Sequence, residues 1–171
     1  MNFLTSFMAV CTLVLGVSFS APAQAVEKSD IEAGLRTLPL LLNKITGDTT
    51  IAIVYDPADA ASVADAEKIE KIVHDGMTIP GGGKLSAMRV SVSELAKLSR
   101  VKVAFLTTGL GPHFTSINTA TSAASILTIS TDLDCVRAAK CIIGVATQPG
   151  VSIYYSKAAA DSAKRMTLSE P

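Results

Sequence analysis

Short apolar runs and helical stripes alternate through the middle of the chain. The short runs are rich in β-branched residues, which is typical of buried strands, and they predict four strands at residues 50–55, 85–92, 101–106 and 126–129. Between the first two strands an apolar stripe recurs at helical spacing and predicts an amphipathic helix, with Val63, Ala66, Ile69 and Val73 buried and Asp65, Glu67, Lys68, Glu70 and Lys71 facing water. Asp56 is the expected N-cap of this helix.

The same pattern continues on both sides of this region. A helix broken by Pro39 is predicted at residues 31–45, and further helices at 93–98, at 114–122 and after an N-cap at Thr131. Two last strands, 141–146 and 151–155, flank a turn at 147–150 and precede a helix at 157–165. Strand–helix alternation implies right-handed crossovers. The prediction is an α/β fold: one three-layer, Rossmann-like domain with a mostly parallel sheet and an antiparallel C-terminal hairpin.

The N-terminus resembles a secretory signal. Residues 3–19 are apolar and uncharged, and Ala23-Gln24-Ala25 fits the small-x-small cleavage pattern. The alternative is a membrane anchor, which the hydroxyl residues within the run and the following Pro22 disfavour. We therefore expect a signal peptide at 1–25, an exported α/β domain at 26–171, and localisation to the periplasm. The rest of the chain has no apolar run of spanning length, so the mature form is not expected to span the membrane.

The charge balance narrows the class of partner. The chain carries 15 Lys and Arg against 15 Asp and Glu. A nucleic-acid-binding protein would concentrate basic residues on one face, and docking on anionic lipid would also need excess positive charge. The balance therefore argues against both partners and leaves proteins and small molecules.

Cys135 and Cys141 are the two cysteines that remain after the predicted cleavage. In an oxidising compartment two cysteines this close tend to pair, so we expect a disulfide. Two alternatives stay open, a pair of buried thiols and a zinc site. Zinc needs three or four ligands, and neither His74 nor His113 lies near the cysteines in sequence. We therefore predict no metal.

A glycine-rich turn after the third predicted strand is the best-placed ligand candidate. Thr108, Gly109 and Gly111 follow the carboxyl end of that strand, where open α/β sheets bind ligands. Their amides and the Thr108 hydroxyl would suit an anion. His113 is close by in sequence, and Asp56 follows the first strand. The alternative interpretation is a strand-to-helix turn that needs a glycine with positive φ.

The chain has no recognised catalytic motif. Gly81-Gly82-Gly83-Lys84 lacks the preceding strand and following helix of a phosphate loop. No serine or cysteine stands in a nucleophile motif such as Gly-x-Ser-x-Gly. We therefore predict a protein that is not an enzyme and needs no cofactor.

Several short motifs resemble the YfiR-like periplasmic family. They are Ile51-Ala-Ile-Val-Tyr55, Val103-Ala-Phe-Leu106, Ser125-Ile-Leu-Thr-Ile-Ser130, and Cys135 followed by Ile142-Ile143-Gly144. The resemblance covers roughly residues 31–165, although the family's aromatic-rich segment is replaced here by residues 41–45. It implies a small periplasmic regulator that restrains membrane-bound diguanylate cyclases, forms homodimers and responds to redox state.

These observations lead to ranked hypotheses. The first is an exported, non-enzymatic regulatory or sensor domain that binds a protein, such as a membrane-bound signalling protein of a diguanylate cyclase pathway. The second is a periplasmic small-ligand binder, akin to one lobe of a solute-binding protein, with its site over Asp56, Thr108, Gly109 and His113. The third, an exported hydrolase using His113 or Asp56, rests only on their proximity to strand ends.

Overall fold

Helices and strands alternate along the chain, as the hydrophobic pattern predicts. The computed structural model describes residues 26–40, 47–78 and 83–163. Its helices are α1 (Lys28–Leu35), α2 (Ala60–His74), α3 (Phe114–Ala123), α4 (Leu133–Arg137) and α5 (Lys157–Ser162). Its strands are β1 (Thr49–Tyr55), β2 (Leu85–Ser91), β3 (Val103–Leu106), β4 (Leu127–Ser130), β5 (Ile143–Ala146) and β6 (Ser152–Tyr155).

The strands form one six-stranded sheet in the order β2-β1-β3-β4-β5-β6. Neighbouring strands from β2 to β5 pair in parallel, and β5 and β6 pair antiparallel. β1 lies between β2 and β3, with Ile51 opposite Ala87 on one side and Val103 on the other. The predicted α/β fold is therefore confirmed, including the mostly parallel sheet and the antiparallel hairpin.

Successive side chains of the parallel strands point to opposite faces of the sheet and build two apolar layers. Ile51 and Ile53 pack with residues of α1, α2 and α5 on the first face. Ala52 and Val54 pack with residues of α3, α4 and the 3-10 helix Leu95–Arg100 on the second. The central strands are thus covered on both sides, which explains why β1, β3 and β4 read as nearly continuous apolar runs.

The start of α2 corrects one capping prediction. The N-cap is Asp59, whose Oδ1 accepts hydrogen bonds from the amides of Ala61 (2.8 Å) and Ser62 (3.0 Å). Asp56 instead accepts from the amide of Ala58 at 2.9 Å, within the turn that precedes the helix. The chain needs this turn to reverse after β1, so the helix begins three residues later than Asp56 capping would require.

Two further boundaries differ from the prediction. The N-cap of α4 is Asp132 and not Thr131, because Asp132 Oδ1 accepts from the Asp134 amide at 3.0 Å. The hydroxyl of Thr131 is buried without a hydrogen-bond partner. The helix expected at 31–45 is α1 followed by the 3-10 helix Leu38–Leu40. The rest of that segment, the predicted signal peptide and the end of the last predicted helix lie outside the described residues.

Cys135 and Cys141 form a disulfide, with their Cα atoms 5.3 Å apart. Both side chains are buried in the apolar layer on the second face. The bond joins α4 to the entry of β5, and the amides of Lys140 and Cys141 donate to the Cys135 carbonyl. The predicted pairing is therefore confirmed. In the part of the chain that the structure describes, no cluster of His, Cys, Asp and Glu is arranged to hold a metal.

Across residues 26–40, 47–78 and 83–163, no helix combines the length and the apolar character needed to cross a bilayer.

Candidate functional site

The strand order creates a switch point between β1 and β3. The chain leaves β1 for α2 on the first face, and it leaves β3 for α3 on the second face. The two connecting loops therefore diverge at the carboxyl ends of adjacent strands. In open α/β sheets this divergence forms the crevice where ligands bind. The predicted ligand residues Asp56, Thr108, Gly109, Gly111 and His113 all lie on these two loops.

Asp56 and His113 meet across the crevice. His113 Nε2 lies 3.2 Å from Asp56 Oδ2, and both side chains are partly exposed. The backbone amide of Asp56 donates to the Ser62 hydroxyl at 2.9 Å, which fixes the start of the loop. Two residues 57 positions apart in sequence are thus joined, as the parallel arrangement of β1 and β3 predicts.

Thr108 bonds inward, to a carboxylate of the protein itself. Its amide and its hydroxyl both donate to Asp65 Oδ2, at 3.2 Å and 2.7 Å. Asp65 is only 4% exposed, so the prediction that it faces water is wrong. It lies on the face of α2 that packs against the sheet because residues 62, 65, 66, 69 and 73 share that face. The donors expected to hold an anion therefore hold this carboxylate.

A hydroxyl pair beneath the crevice joins its two sides. Thr107 Oγ1 lies 2.6 Å from Ser62 Oγ and donates to the carbonyl of Val54 at 3.0 Å. Both hydroxyls are fully buried. Three of these residues, Ser62, Asp65 and Thr107, were not among the predicted site residues. The sequence pattern could have identified Ser62 and Asp65, because polar residues at helical spacing on the apolar side of α2 indicate a buried hydrogen-bond network.

The positions of Gly109 and Gly111 differ in whether a residue with a side chain could replace the glycine. Gly109 has φ +78°, and a Cβ at this position would overlap the Asp59 carboxylate. Gly111 begins the 3-10 helix Gly111–His113, and a Cβ there would meet no atom within 4 Å. The turn therefore requires glycine at 109 but not at 111. The backbone conformation of the turn is therefore enough to explain Gly109. This agrees with the alternative interpretation, a strand-to-helix turn that needs a glycine with positive φ.

The chemistry available at the switch point is limited. Of the polar side chains just described, Asp56 and His113 face solvent, and they bond each other. The hydroxyls of Ser62, Thr107 and Thr108 are used by internal hydrogen bonds. A His–Asp pair activates a nucleophile only when one lies within hydrogen-bond reach of the histidine. Among the described residues no hydroxyl or thiol is hydrogen-bonded to the His113 ring, and the Ser116 hydroxyl donates to the His113 carbonyl at 2.9 Å.

An open cavity of about 410 Å³ lies at the opposite end of the sheet. It is bordered by α1 and the C-terminal end of α2, with Lys28, Arg36, Asp75 and Met77 among its lining residues. This is the amino end of the strands, because Met77 leads into β2 and its carbonyl accepts from the Leu85 amide. The cavity is therefore separate from the Asp56–His113 crevice.

An exposed apolar strand forms one edge of the sheet. The large hydrophobic residues that the described structure exposes lie together on or beside β6: Val151 (63% exposed), Ile153 (46%), Tyr154 (46%) and Tyr155 (36%). No strand of the described residues pairs with the outer side of β6. Residues 147–156 contain no Asp, Glu, Lys or Arg. Long exposed apolar patches of this kind mark interaction sites.

The register identifies which backbone groups point outward. The Ser156 amide donates to the Ile142 carbonyl at 2.8 Å. In an antiparallel ladder the residues that bond the neighbouring strand alternate with those that point away. Ser152 and Tyr154 therefore bond toward β5, and the amides and carbonyls of Val151, Ile153 and Tyr155 point outward. The sequence predicted the antiparallel edge strand but not its role. Its apolar composition, with no charged residue, was the available signal.

Comparisons with known proteins support the fold. No family model and no curated protein matches the chain. The fold is similar to that of a conserved domain protein from Vibrio cholerae, with a TM-score of 0.59 and 14% identity over 84% of this chain. It is also similar to the ABC domain in complex with L-Trp from Streptococcus pneumoniae, with a TM-score of 0.50 and 9% identity over 77% of this chain. The chain spans 56% and 41% of the lengths of those two chains.

Proposed function

We propose that this chain is an exported, non-enzymatic regulatory domain that binds a partner protein along the outer edge of β6. The observation that carries the proposal is the exposed apolar cluster of Val151, Ile153, Tyr154 and Tyr155 on an unprotected edge strand. Soluble proteins usually blunt such edges with charges, prolines or a covering element. Here residues 151–155 contain no charged residue and no proline, and no strand of the described residues pairs with the outer side of β6, so the edge suits an added strand from a partner.

The two faces of β6 would present different side chains to a partner strand. Tyr154 lies on the α4 side, because a Cβ at Gly144 would contact Tyr154 together with Val136 and Leu133 of α4. Ile153 and Tyr155 point to the opposite face by alternation. A partner strand would pair with the outward backbone groups and place apolar residues against Ile153 and Tyr155. Main-chain bonds would provide affinity and these side chains specificity.

The disulfide and the switch point support the remaining parts of the proposal. A disulfide is typical of proteins that fold outside the cytoplasm, which agrees with the predicted signal peptide and the periplasmic location. The hydroxyls at the switch point are bonded inside the fold, which favours a binding role over hydrolysis. The YfiR-like resemblance suggests that the partner is a membrane-bound signalling protein of a diguanylate cyclase pathway, and it also suggests a homodimer.

Site-specific photo-crosslinking in cells that export the protein tests the proposal. A photoreactive phenylalanine analogue at Ile153 is expected to give adducts with a protein, and the matched position Thr119, exposed on α3, is not. Ile153→Lys should remove adducts formed from position 155 without changing the melting temperature, because Ile153 is half-exposed. Equal adduct yields from positions 153 and 119, or none from either, would contradict edge binding.

A second candidate function is small-ligand binding at the switch point. It is favoured by the convergence of Asp56 and His113 at the crevice and by the similarity in fold to a domain in complex with L-Trp. Calorimetric titration with L-Trp, other amino acids and small anions tests it. Binding that Asp56→Asn weakens and Ile153→Lys leaves intact would favour this candidate over edge binding.

A further inference from the structure

Asp65 is a buried carboxylate that lacks a cationic side chain. Its three hydrogen-bond donors are the amide of Val26 at 3.2 Å, the amide of Thr108 and the hydroxyl of Thr108. Among the described residues no Lys, Arg or His side chain forms an ion pair with it. Burying a charge without a counter-charge is strongly unfavourable. A cation beside Asp65 would reduce this cost.

Val26 is the residue that would supply one. It is 1% exposed, and its nitrogen is directed at Asp65 Oδ1. It is also the first residue after the predicted cleavage site, Ala23-Gln24-Ala25. We infer that cleavage of the Ala25–Val26 bond creates an α-ammonium group that forms a buried ion pair with Asp65. This inference rests on the predicted cleavage site and is independent of edge binding.

The chemistry of the step is a peptide hydrolysis by a signal peptidase. Water is the co-reactant: its hydroxyl goes to the carbonyl carbon of Ala25, and a hydrogen goes to the nitrogen of Val26. The new amine binds a proton because the Asp65 carboxylate, within hydrogen-bond distance, favours its charged form. One neutral donor opposite Asp65 thus becomes a cation with up to three donors.

The neighbouring charged groups leave Asp65 as the partner of this ammonium. Glu27 pairs with Lys68 at 2.6 Å. Asp30 accepts hydrogen bonds from the Glu27 amide at 2.7 Å and from the Thr147 hydroxyl at 2.6 Å. Glu27 therefore has a cationic partner, and neither donor of Asp30 is the Val26 nitrogen, which is directed at Asp65.

The pair would connect maturation to the switch point. Asp65 Oδ1 faces Val26 and Oδ2 holds both donors of Thr108. A counter-charge at Val26 therefore stabilises the carboxylate that positions the loop after β3. The exported form should be more stable than the precursor, and its Thr108 loop should be better ordered.

A double-mutant cycle tests the pair. Four proteins are compared by thermal unfolding: a chain beginning at Val26, a chain beginning at Ala25, and each of these with Asp65→Asn. Retaining Ala25 replaces the Val26 ammonium by a neutral amide and moves the terminal positive charge to the nitrogen of Ala25. We expect the Ala25 chain to melt about 5–10 °C lower. Asp65→Asn should cost more in the Val26 chain than in the Ala25 chain.

Two measurements complete the test. Mass spectrometry of the exported protein should find Val26 at the N-terminus. Acylation of the Val26 amine at neutral pH should be at least about tenfold slower in the folded protein than in urea, as expected for a group that reacts only after local opening; this measurement needs no variant that must fold. A different N-terminus, an unprotected amine, or equal costs of Asp65→Asn in both chains would overturn the inference.

Discussion

Reduction of the Cys135–Cys141 disulfide should lower the stability of the domain by a calculable amount. The bond closes a loop with a sequence separation of 6. In the chain-entropy model a loop of this size contributes about 2 kcal/mol to the free energy of unfolding. For a domain of this length 1 kcal/mol corresponds to about 3 °C, so the melting temperature should fall by about 6 °C.

The assay is thermal unfolding by circular dichroism, with and without a phosphine reductant. The matched control is the double variant Cys135→Ala/Cys141→Ala, whose melting temperature should not respond to the reductant. Alkylation followed by mass spectrometry establishes that both thiols are free in the reduced sample. The wild type compares the same buried side chains in two redox states, so its shift reports the crosslink rather than altered packing.

The position of the bond predicts where the loss of order should appear. The disulfide ties α4 to the entry of β5, and α4 covers Gly144 of β5. Amide exchange should therefore rise first in α4 and in the β5–β6 hairpin, and later in β1 and β3 at the centre of the sheet. A fully reduced protein that melts with the oxidised one, or that loses protection uniformly, would refute the structural role of the bond.

Two further predictions use glycines with different surroundings. Gly109→Ala should cost about 1–3 kcal/mol, because it places a side chain at positive φ and against Asp59. Gly111→Ala, which has free space around its Cβ, should change the free energy of unfolding by less than about 1 kcal/mol; urea denaturation measures both, and equal costs would contradict the reasoning. Gly144→Ala should cost about 1–3 kcal/mol by displacing Val136 and Leu133, and hydrogen exchange in α4 should rise with it; an unchanged α4 would count against close packing of that helix on β5.

The strands β1, β3, β4 and β5 were predictable because they are largely buried on both faces. Residues such as Ile51 and Ala52 face different apolar layers, so the strand carries no polar interruption and reads as a continuous run. Helix starts were harder to predict. Asp56 and Asp59 are both good caps by composition, and Asp132 competes with Thr131. Only the path of the chain at each turn decides which side chain reaches the first free amides.

The switch point was predictable in location but not in chemistry. Strand ends placed Asp56, Thr108 and His113 together, and the structure brings them to one crevice. Asp65 was assigned to the solvent side of α2 because carboxylates are usually exposed. Its burial depends on donors from Val26 and Thr108, which are 39 and 43 residues away in sequence. Helical spacing places Asp65 on the same face as Ala66, Ile69 and Val73, but no local pattern marks the distant donors that satisfy its charge.

The switch point and the outer edge of β6 differ in how many of their hydrogen-bonding groups are already paired within the protein. At the switch point the side-chain donors and acceptors of Ser62, Asp65, Thr107 and Thr108 are matched within the protein, so a ligand there would compete with existing bonds. At β6 the outward amides and carbonyls of Val151, Ile153 and Tyr155 are unmatched by any described strand, and apolar side chains surround them. A partner strand would satisfy these groups and bury these side chains together. We therefore propose that binding is less costly at the edge than in the crevice.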